Sequence, residues 1–142
     1  MDRKLVRELG FVLIEDTPEI ADKVLQYLRR YWPVSAVKRT GQGNVGIRMV
    51  KSEHPDIIIL NTDLPDMSGF EVLNRVRQFS NIPVIILSTS RDEANEVKGL
   101  DTGADEYIVW PSSPTNLVSR VMAILRRAGI RVPDQDSSHD TS

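Results

Sequence analysis

The chain contains no cysteine, so neither disulfide bonds nor cysteine-based metal sites can form in it. Its apolar runs are all strand-sized, and none approaches the roughly 20 residues that a membrane-spanning helix needs. The first ten residues also lack the apolar centre of a signal peptide. We therefore expect a cytoplasmic protein that makes no contact with a membrane.

A strong net charge is absent as well, since 18 basic and 20 acidic side chains leave a formal charge of −2. Direct binding to nucleic acid usually requires a basic surface, so we expect none from this chain. A glycine-rich phosphate loop is missing too, because Glu15, Asp16, Thr17 and Pro18 follow the first apolar run. This argues against a nucleotide-binding enzyme of the usual type, one alternative for an α/β chain.

Short apolar runs do occur, and they alternate with amphipathic segments. The runs are 11–14, 34–37, 57–60, 84–87 and 107–109. Continuous apolar strands are typical of a parallel sheet that is covered on both faces, and strands that alternate with helices indicate βαβ units. The 142 residues therefore predict one α/β domain of five strands and five helices.

Helix starts are predicted where a capping residue precedes an amphipathic segment. The candidate capping residues are Thr17, Asn44, Ser68, Ser90 and Ser113, and the candidate terminating glycines are Gly103 and Gly129. Ser90 and Glu93 form a candidate capping box before the apolar residues Ala94, Val97 and Leu100. These signals place one helix after each predicted strand.

The segment from Pro55 to Gly69 reads Pro-Asp-Ile-Ile-Ile-Leu-Asn-Thr-Asp-Leu-Pro-Asp-Met-Ser-Gly. It closely resembles the third strand and following loop of two-component receiver domains, and Gly-Ala-Asp-Glu-Tyr at 103–107 is a second strong match. The resemblance covers about 11–127. It implies a CheY-like, flavodoxin-like (βα)5 fold, a doubly wound five-stranded parallel sheet with strand order 2-1-3-4-5.

The resemblance also implies which residues lie at the carboxyl ends of the strands. Glu15 and Asp16 match the acidic pair that helps to bind Mg²⁺. Asn61 stands at the phosphoacceptor position, where the family has aspartate. Asp63 matches the residue whose main-chain carbonyl completes the metal shell. Together they would form an acidic pocket in which the central carboxylate is replaced by an amide.

Three further positions complete the match. Ser88 corresponds to the hydroxyl residue that senses the phosphoryl group, or is a simple hydrogen-bonding residue, and Tyr107 corresponds to the aromatic switch residue. Trp110 stands where the family has lysine. Phosphoryl transfer needs a nucleophile and positive charge, which Asn61 and Trp110 do not supply. The sequence therefore predicts an atypical receiver, or pseudo-receiver, that is not an enzyme and signals without aspartyl phosphorylation.

Most of these residues have a second interpretation. Glu15 and Asp16 either retain weak Mg²⁺ binding or are simple loop carboxylates. Asp63 either fills the altered pocket or serves as another phosphoacceptor, which would make this a phosphorylatable receiver. Trp110 either packs over the site or caps it and contacts a partner. Asn61 is either native or a substitution introduced to trap one form.

The output surface of receivers is formed by the fourth helix, fifth strand and fifth helix. In the OmpR-like winged-helix subfamily this surface forms a two-fold dimer through a charge network, with which Lys98, Asp101, Asp105 and Arg120 are compatible. Further apolar contact would come from residues of the same region, namely Val109, Val118, Val121 and Met122. We expect a homodimer or a protein partner here, with an ordinary solvated helix surface as the alternative.

The predicted organisation is an N-terminal extension at 1–10, a receiver domain at 11–129 and a flexible tail or linker at 130–142. The last segment is polar and lacks periodicity. It fits a receiver domain that is followed by an effector domain in a longer regulator, and the alternative is a stand-alone receiver-like module.

Overall fold

The computed structural model describes residues 8–130. Its elements are β1 (Leu9–Ile14), α1 (Pro18–Tyr31), β2 (Ser35–Thr40), α2 (Gly43–Glu53), β3 (Ile57–Asn61), α3 (Gly69–Arg77), β4 (Val84–Ser88), α4 (Glu93–Thr102), β5 (Glu106–Val109) and α5 (Pro114–Arg127). Most of the predicted extension (1–7) and tail (131–142) lies outside the described residues. None of these helices has the length and apolar content needed to cross a membrane.

The strands form one parallel sheet in the order β2-β1-β3-β4-β5. This confirms the predicted doubly wound α/β fold and its strand order. The chain passes from β1 to the edge strand β2 and then returns to β3, so the direction of winding reverses between β1 and β3. In open parallel sheets, functional residues lie at the carboxyl ends of the strands beside such a switch point.

Each face of the sheet has its own hydrophobic cluster. Successive side chains of a strand point to opposite faces. Ile57 and Ile59 of β3 therefore pack with α1 and α5, whereas Ile58 and Leu60 pack with α2 and α3. Side chains at the end of a strand continue this alternation, which determines the face on which each site residue lies.

The strand ends differ from the predicted ones by a few residues. β1 begins at Leu9, two residues before the predicted start, so the domain includes part of the predicted extension. β2 covers Ser35–Thr40 rather than 34–37. This edge strand alternates between exposed and half-buried positions, so a search for a continuous apolar run places it poorly.

The predicted helix caps are confirmed at Ser68 and Ser113, whose hydroxyl oxygens accept hydrogen bonds from the backbone N–H groups of Phe70 and Asn116. The prediction for Ser90 is wrong. Asp92 caps α4 instead, with its carboxylate accepting from the Ala94 N–H. A carboxylate at this position also interacts favourably with the helix dipole, which a capping serine does not.

The helix α4 is the least buried of the five. Only Gly99 of this helix is buried, while Val97 and Leu100 are 51% and 43% exposed. Gly99 allows the close approach to the sheet, because a Cβ atom there would lie 2.8 Å from Cδ1 of Ile86. Two large apolar side chains of α4 therefore face away from the core.

Candidate functional site

Asn61 is the last residue of β3 and lies on the face of the sheet that carries α1 and α5. Glu15 directly follows β1, the neighbouring strand, and its side chain is on the same face. Both side chains are buried, and Glu15 is 0% exposed. The two residues, 46 positions apart in the chain, therefore meet at the switch point of the sheet.

The amide of Asn61 is paired with the carboxylate of Glu15. Its Nδ2 donates to Glu15 Oε1 at 2.8 Å and to Oε2 at 2.7 Å. Its Oδ1 accepts from the backbone N–H of Asp63 at 2.8 Å. The orientation of the amide follows from these neighbours, because rotating it by half a turn would oppose oxygen to oxygen and N–H to N–H.

Glu15 is held from three directions. Besides Asn61, the backbone N–H of Thr17 donates to its Oε2 at 3.1 Å. The Arg39 guanidinium of β2 donates to the main-chain carbonyl of Glu15 at 2.9 Å and fixes the β1–α1 loop. Burial nevertheless raises the pKa of the Glu15 carboxyl, and the hydrogen bonds from Asn61 and Thr17 offset this only in part.

The other two predicted acidic residues do not share this burial. Asp16 and Asp63 are both exposed. The group that Asp63 contributes to the pocket is its backbone N–H, which donates to Asn61 Oδ1. The acidic pocket thus contains a single buried carboxylate, that of Glu15.

A Mg²⁺ site needs several oxygen ligands around one position. Within residues 8–130, no group of three or more acidic or histidine side chains is placed to hold a metal ion. Both oxygens of Glu15 already accept N–H donors, and the amide nitrogen of Asn61 lies where a cation would approach them. The donor set therefore does not fit Mg²⁺.

Ser88 lies at the end of β4 and is buried, as is Thr62, the residue after Asn61. The Thr62 hydroxyl lies 3.3 Å from Ser88 Oγ, which also accepts from the backbone N–H of Ser90. Thr62 is not among the site residues predicted from the sequence. Its position directly after Asn61, at the end of a buried strand, is the feature of the sequence that could have indicated it.

Asp66 is a second residue of this region that was not predicted from the sequence. Its carboxylate accepts from the backbone N–H groups of Gly43 at 2.8 Å and Asn44 at 3.0 Å, the start of α2. These hydrogen bonds lower the pKa of the Asp66 carboxyl. Gln42, at the N-cap of α2, makes no capping hydrogen bond through its side chain. The β3–α3 loop therefore supplies the cap of a neighbouring helix.

The loop is also held where α3 begins. A Cβ atom at Gly69 would lie 2.2 Å from the main-chain oxygen of Asn61. Any larger residue would displace the start of α3 from the end of β3. Together with the cap from Asp66, this close approach anchors the loop that follows Asn61 and contains Asp63.

Tyr107 of β5 points to the face that carries α2, α3 and α4. It packs against the cluster of Ile86 and Val72, and its ring lies beneath Gly99 of α4. The hydroxyl is buried and has no hydrogen-bond partner among residues 8–130. The predicted switch residue is therefore turned inward.

Trp110 follows β5 on the same face of the sheet as Asn61 and Glu15. Its indole packs against the α1–α5 cluster, and its ring centroid lies 6.2 Å from that of Tyr27 in α1. Trp110, at the position where the family has lysine, therefore joins the end of β5 to α1 through an aromatic contact.

The residues of the predicted output surface are largely engaged within the chain. Asp105 pairs with Arg77 at 3.2 Å, and Arg120 pairs with Glu106 at 2.9 Å. The expectation that Val118 and Val121 are available to a partner is wrong, because both are buried in the core. They lie at the inward positions of α5, one helical turn apart.

Lys98 and Asp101 are both exposed on α4. The Lys98 ammonium lies 4.6 Å from the ring centroid of Phe70 in α3. The most exposed apolar side chains of this surface are those of Val97 and Leu100, and the predicted contact residues Val109 and Met122 are partly exposed.

The chain is similar to known transcriptional regulators. AfsQ1 of Streptomyces coelicolor is 35% identical over 118 residues, which cover 83% of this chain and 52% of AfsQ1. The alkaline phosphatase synthesis regulator PhoP of Bacillus subtilis is 35% identical over 133 residues, covering 91% of this chain and 54% of PhoP. The chain thus spans about half the length of these regulators.

Solved structures give the same result. The BeF3-activated N-terminal receiver domain of Klebsiella pneumoniae RstA matches with a TM-score of 0.77 at 26% identity. The match covers 82% of this chain and 98% of the RstA domain. DrrB of Thermotoga maritima, an OmpR/PhoB homologue, matches with a TM-score of 0.75 at 27% identity. This match covers 86% of this chain and 54% of DrrB. Residues 11–122 match the response regulator receiver domain family, and the chain belongs to that family.

Proposed function

We propose that this receiver domain signals without conventional aspartyl phosphorylation, through contact with another protein or domain. The observation that carries the proposal is the amide of Asn61 at the end of β3, hydrogen-bonded to both oxygens of Glu15. A carboxylate oxygen can attack phosphorus, whereas an amide is a far poorer nucleophile. The position where the family has its phosphoacceptor therefore holds a structural hydrogen bond.

The surroundings support the same conclusion. Phosphoryl transfer is catalysed by a metal ion and by positive charge on the developing oxygens. The donor set around Glu15 does not fit Mg²⁺, and Trp110 offers a single N–H donor with no formal charge. We infer that the nucleophile, the metal and the lysine have been lost together.

The alternative phosphoacceptor, Asp63, has little support. Its side chain is exposed, and its backbone N–H is bound to Asn61 Oδ1. An in-line reaction at Asp63 would place the phosphoryl group outside the pocket, away from Ser88 and Thr62.

Intact mass after incubation with acetyl phosphate and Mg²⁺ tests the proposal. We expect no phosphoryl adduct on the native chain and an adduct on the Asn61→Asp variant, with Asn61→Asp/Trp110→Lys more extensively modified. The Asp63→Asn variant is the matched control. An adduct on the native chain that disappears in Asp63→Asn would replace the proposal with the Asp63 alternative.

We also infer that output uses the surface of α4, β5 and α5, toward either an effector domain or a second copy of the chain. Val97 and Leu100 supply the exposed apolar groups there. A partner that switches the domain must bind one conformer better than the other. Sedimentation equilibrium checks the second-copy case: wild type should dimerise and Leu100→Asp should be monomeric, while a monomeric wild type rules out that case.

A further inference from the structure

Phe79, just beyond the end of α3, is 42% exposed. Aromatic side chains are enriched in interfaces, where a rigid ring buries a large apolar area. The Lys51 ammonium of α2 lies 4.9 Å from the centroid of the Phe79 ring. An exposed cation–π contact contributes only about 0.5–1 kcal/mol, which is less than burial of the ring would contribute.

Two concave regions adjoin at this pair. The larger, about 470 Å³, lies between α2 and α3 beside Ile47. The smaller, about 150 Å³, lies at the ends of the two helices beside Ile82. Lys51 and Phe79 line both. We call the whole surface the α2–α3 groove. Its walls are mixed, with apolar groups from Ile47, Val50 and Ile82 among charged and polar side chains, and the Phe79 ring with Lys51 above it lies where the two regions meet.

The charge of the groove is positive. Arg75 is paired with Glu71 at 2.9 Å, so those two charges offset each other. Within the described range of 8–130, Lys51 contacts the Phe79 ring and forms no ion pair. Among the described residues, Lys51 therefore supplies the one charge of this pair of helices in the groove that no carboxylate offsets.

The groove is remote from Asn61. Helices α2 and α3 run antiparallel to the strands, so their C-terminal ends lie where β3 and β4 begin. The five residues of β3 separate the Phe79 end of the groove from Asn61 by roughly 13 Å, at about 3.3 Å per residue, and the whole groove lies on the opposite face of the sheet from Asn61 and Glu15. A ligand in the groove therefore needs no group of the Glu15–Asn61 pocket.

We propose that the α2–α3 groove binds an acidic peptide segment of another protein. An apolar side chain of the peptide packs against Phe79 and Ile47, and a neighbouring carboxylate pairs with Lys51. The aromatic anchor supplies most of the affinity, and the charge of Lys51 supplies selection for acidic segments. This interaction would be separate from the α4–β5–α5 surface and from the chemistry at Asn61.

Selection from a random heptapeptide display library on the folded wild-type protein tests the proposal. We expect enriched peptides with one large apolar residue flanked by aspartate or glutamate. For a synthetic enriched peptide, Phe79→Ser should weaken binding about tenfold and Lys51→Gln about threefold. Val34→Ser is the matched control, since Val34 is similarly exposed between α1 and β2 and its substitution should leave the affinity unchanged.

Peptide-induced changes in the amide spectrum should be centred on Ile47, Lys51 and Gln78. The proposal is overturned if no sequence is enriched, if the enriched sequences are not acidic, or if Phe79→Ser binds as well as wild type. A loss of binding in Val34→Ser would instead place the peptide beside the loop between α1 and β2. Because Phe79 and Lys51 are exposed, both variants should retain the wild-type unfolding midpoint, which separates lost binding from lost folding.

Discussion

Glu15 and Asp66 lie in loops at the same edge of the sheet, and each accepts N–H donors, yet their pKa values move in opposite directions. Glu15 is fully buried, and burial raises its pKa in spite of the hydrogen bonds from Asn61 and Thr17. Asp66 is exposed, and the N–H groups of Asn44 and Gly43 lower its pKa. Desolvation, rather than the number of hydrogen bonds, decides the direction.

The contrast gives the two carboxylates opposite effects on stability. The Glu15 carboxyl, whose pKa is raised, keeps its proton to a higher pH in the folded state than in the unfolded state. The free energy of unfolding therefore falls as the pH rises from the ordinary pKa of 4.5 toward the raised pKa. The Asp66 carboxyl, whose pKa is lowered, stabilises the fold at pH values above its ordinary pKa of 3.8. That stabilisation is lost as the pH falls through the lowered pKa.

The largest effect is expected from Asn61→Ala. Removal of the amide leaves the buried Glu15 carboxylate without its main partner, which should lower the free energy of unfolding by about 3 kcal/mol at pH 7. The loss should shrink toward pH 4.5, because a protonated Glu15 no longer needs the donor. Urea denaturation at both pH values measures it.

Asn74→Ala, in an exposed position of α3, is the control and should change stability by less than about 0.5 kcal/mol. The proposed role of the amide would be contradicted if Asn61→Ala lost as little stability as the control. It would also be contradicted if the stability loss became larger in acid, because the Asn61 amide would then not stabilise the ionised Glu15 carboxylate.

A smaller effect, with a diagnostic pH dependence, is expected from Glu15→Gln. The glutamine cannot ionise, so the variant should gain stability relative to wild type as the pH rises from 4.5. Urea denaturation of both proteins across this range gives the difference at each pH. A difference that moves in favour of wild type would mean that the hydrogen bonds of Asn61 and Thr17 outweigh burial.

The pairing of Glu15 with Asn61 shows how far the sequence could lead. The short apolar runs predicted the parallel sheet, and carboxyl ends of neighbouring parallel strands must meet. The amino-acid sequence alone therefore places Glu15, Asn61 and Ser88 at one edge of the sheet. The match to receiver domains supplied the strand order, which the runs alone do not specify.

The sequence does not indicate the contacts between distant segments. Asp66 caps a helix that begins 23 residues earlier in the chain, and no local pattern indicates such a partner. The apolar residues of α4 repeat with the spacing of a buried face, but Val97 and Leu100 remain uncovered. Periodicity predicts that a helix has an apolar side and does not say what covers it.

The smallest effect, and the one that completes the contrast, is expected from Asp66→Asn. An amide oxygen can still accept one N–H but lacks the charge that favours the start of α2. Wild type should be more stable than the variant at pH 7, and the two should converge as the pH falls below 3.8, opposite in sign to Glu15→Gln. Hydrogen exchange at the Gly43 and Asn44 amides should accelerate in Asp66→Asn and not in the neighbouring Asp63→Asn, whose carboxylate makes no contact with these amides. If exchange is unchanged in both, the β3–α3 loop does not cap α2, and the opposite pKa shifts have another origin.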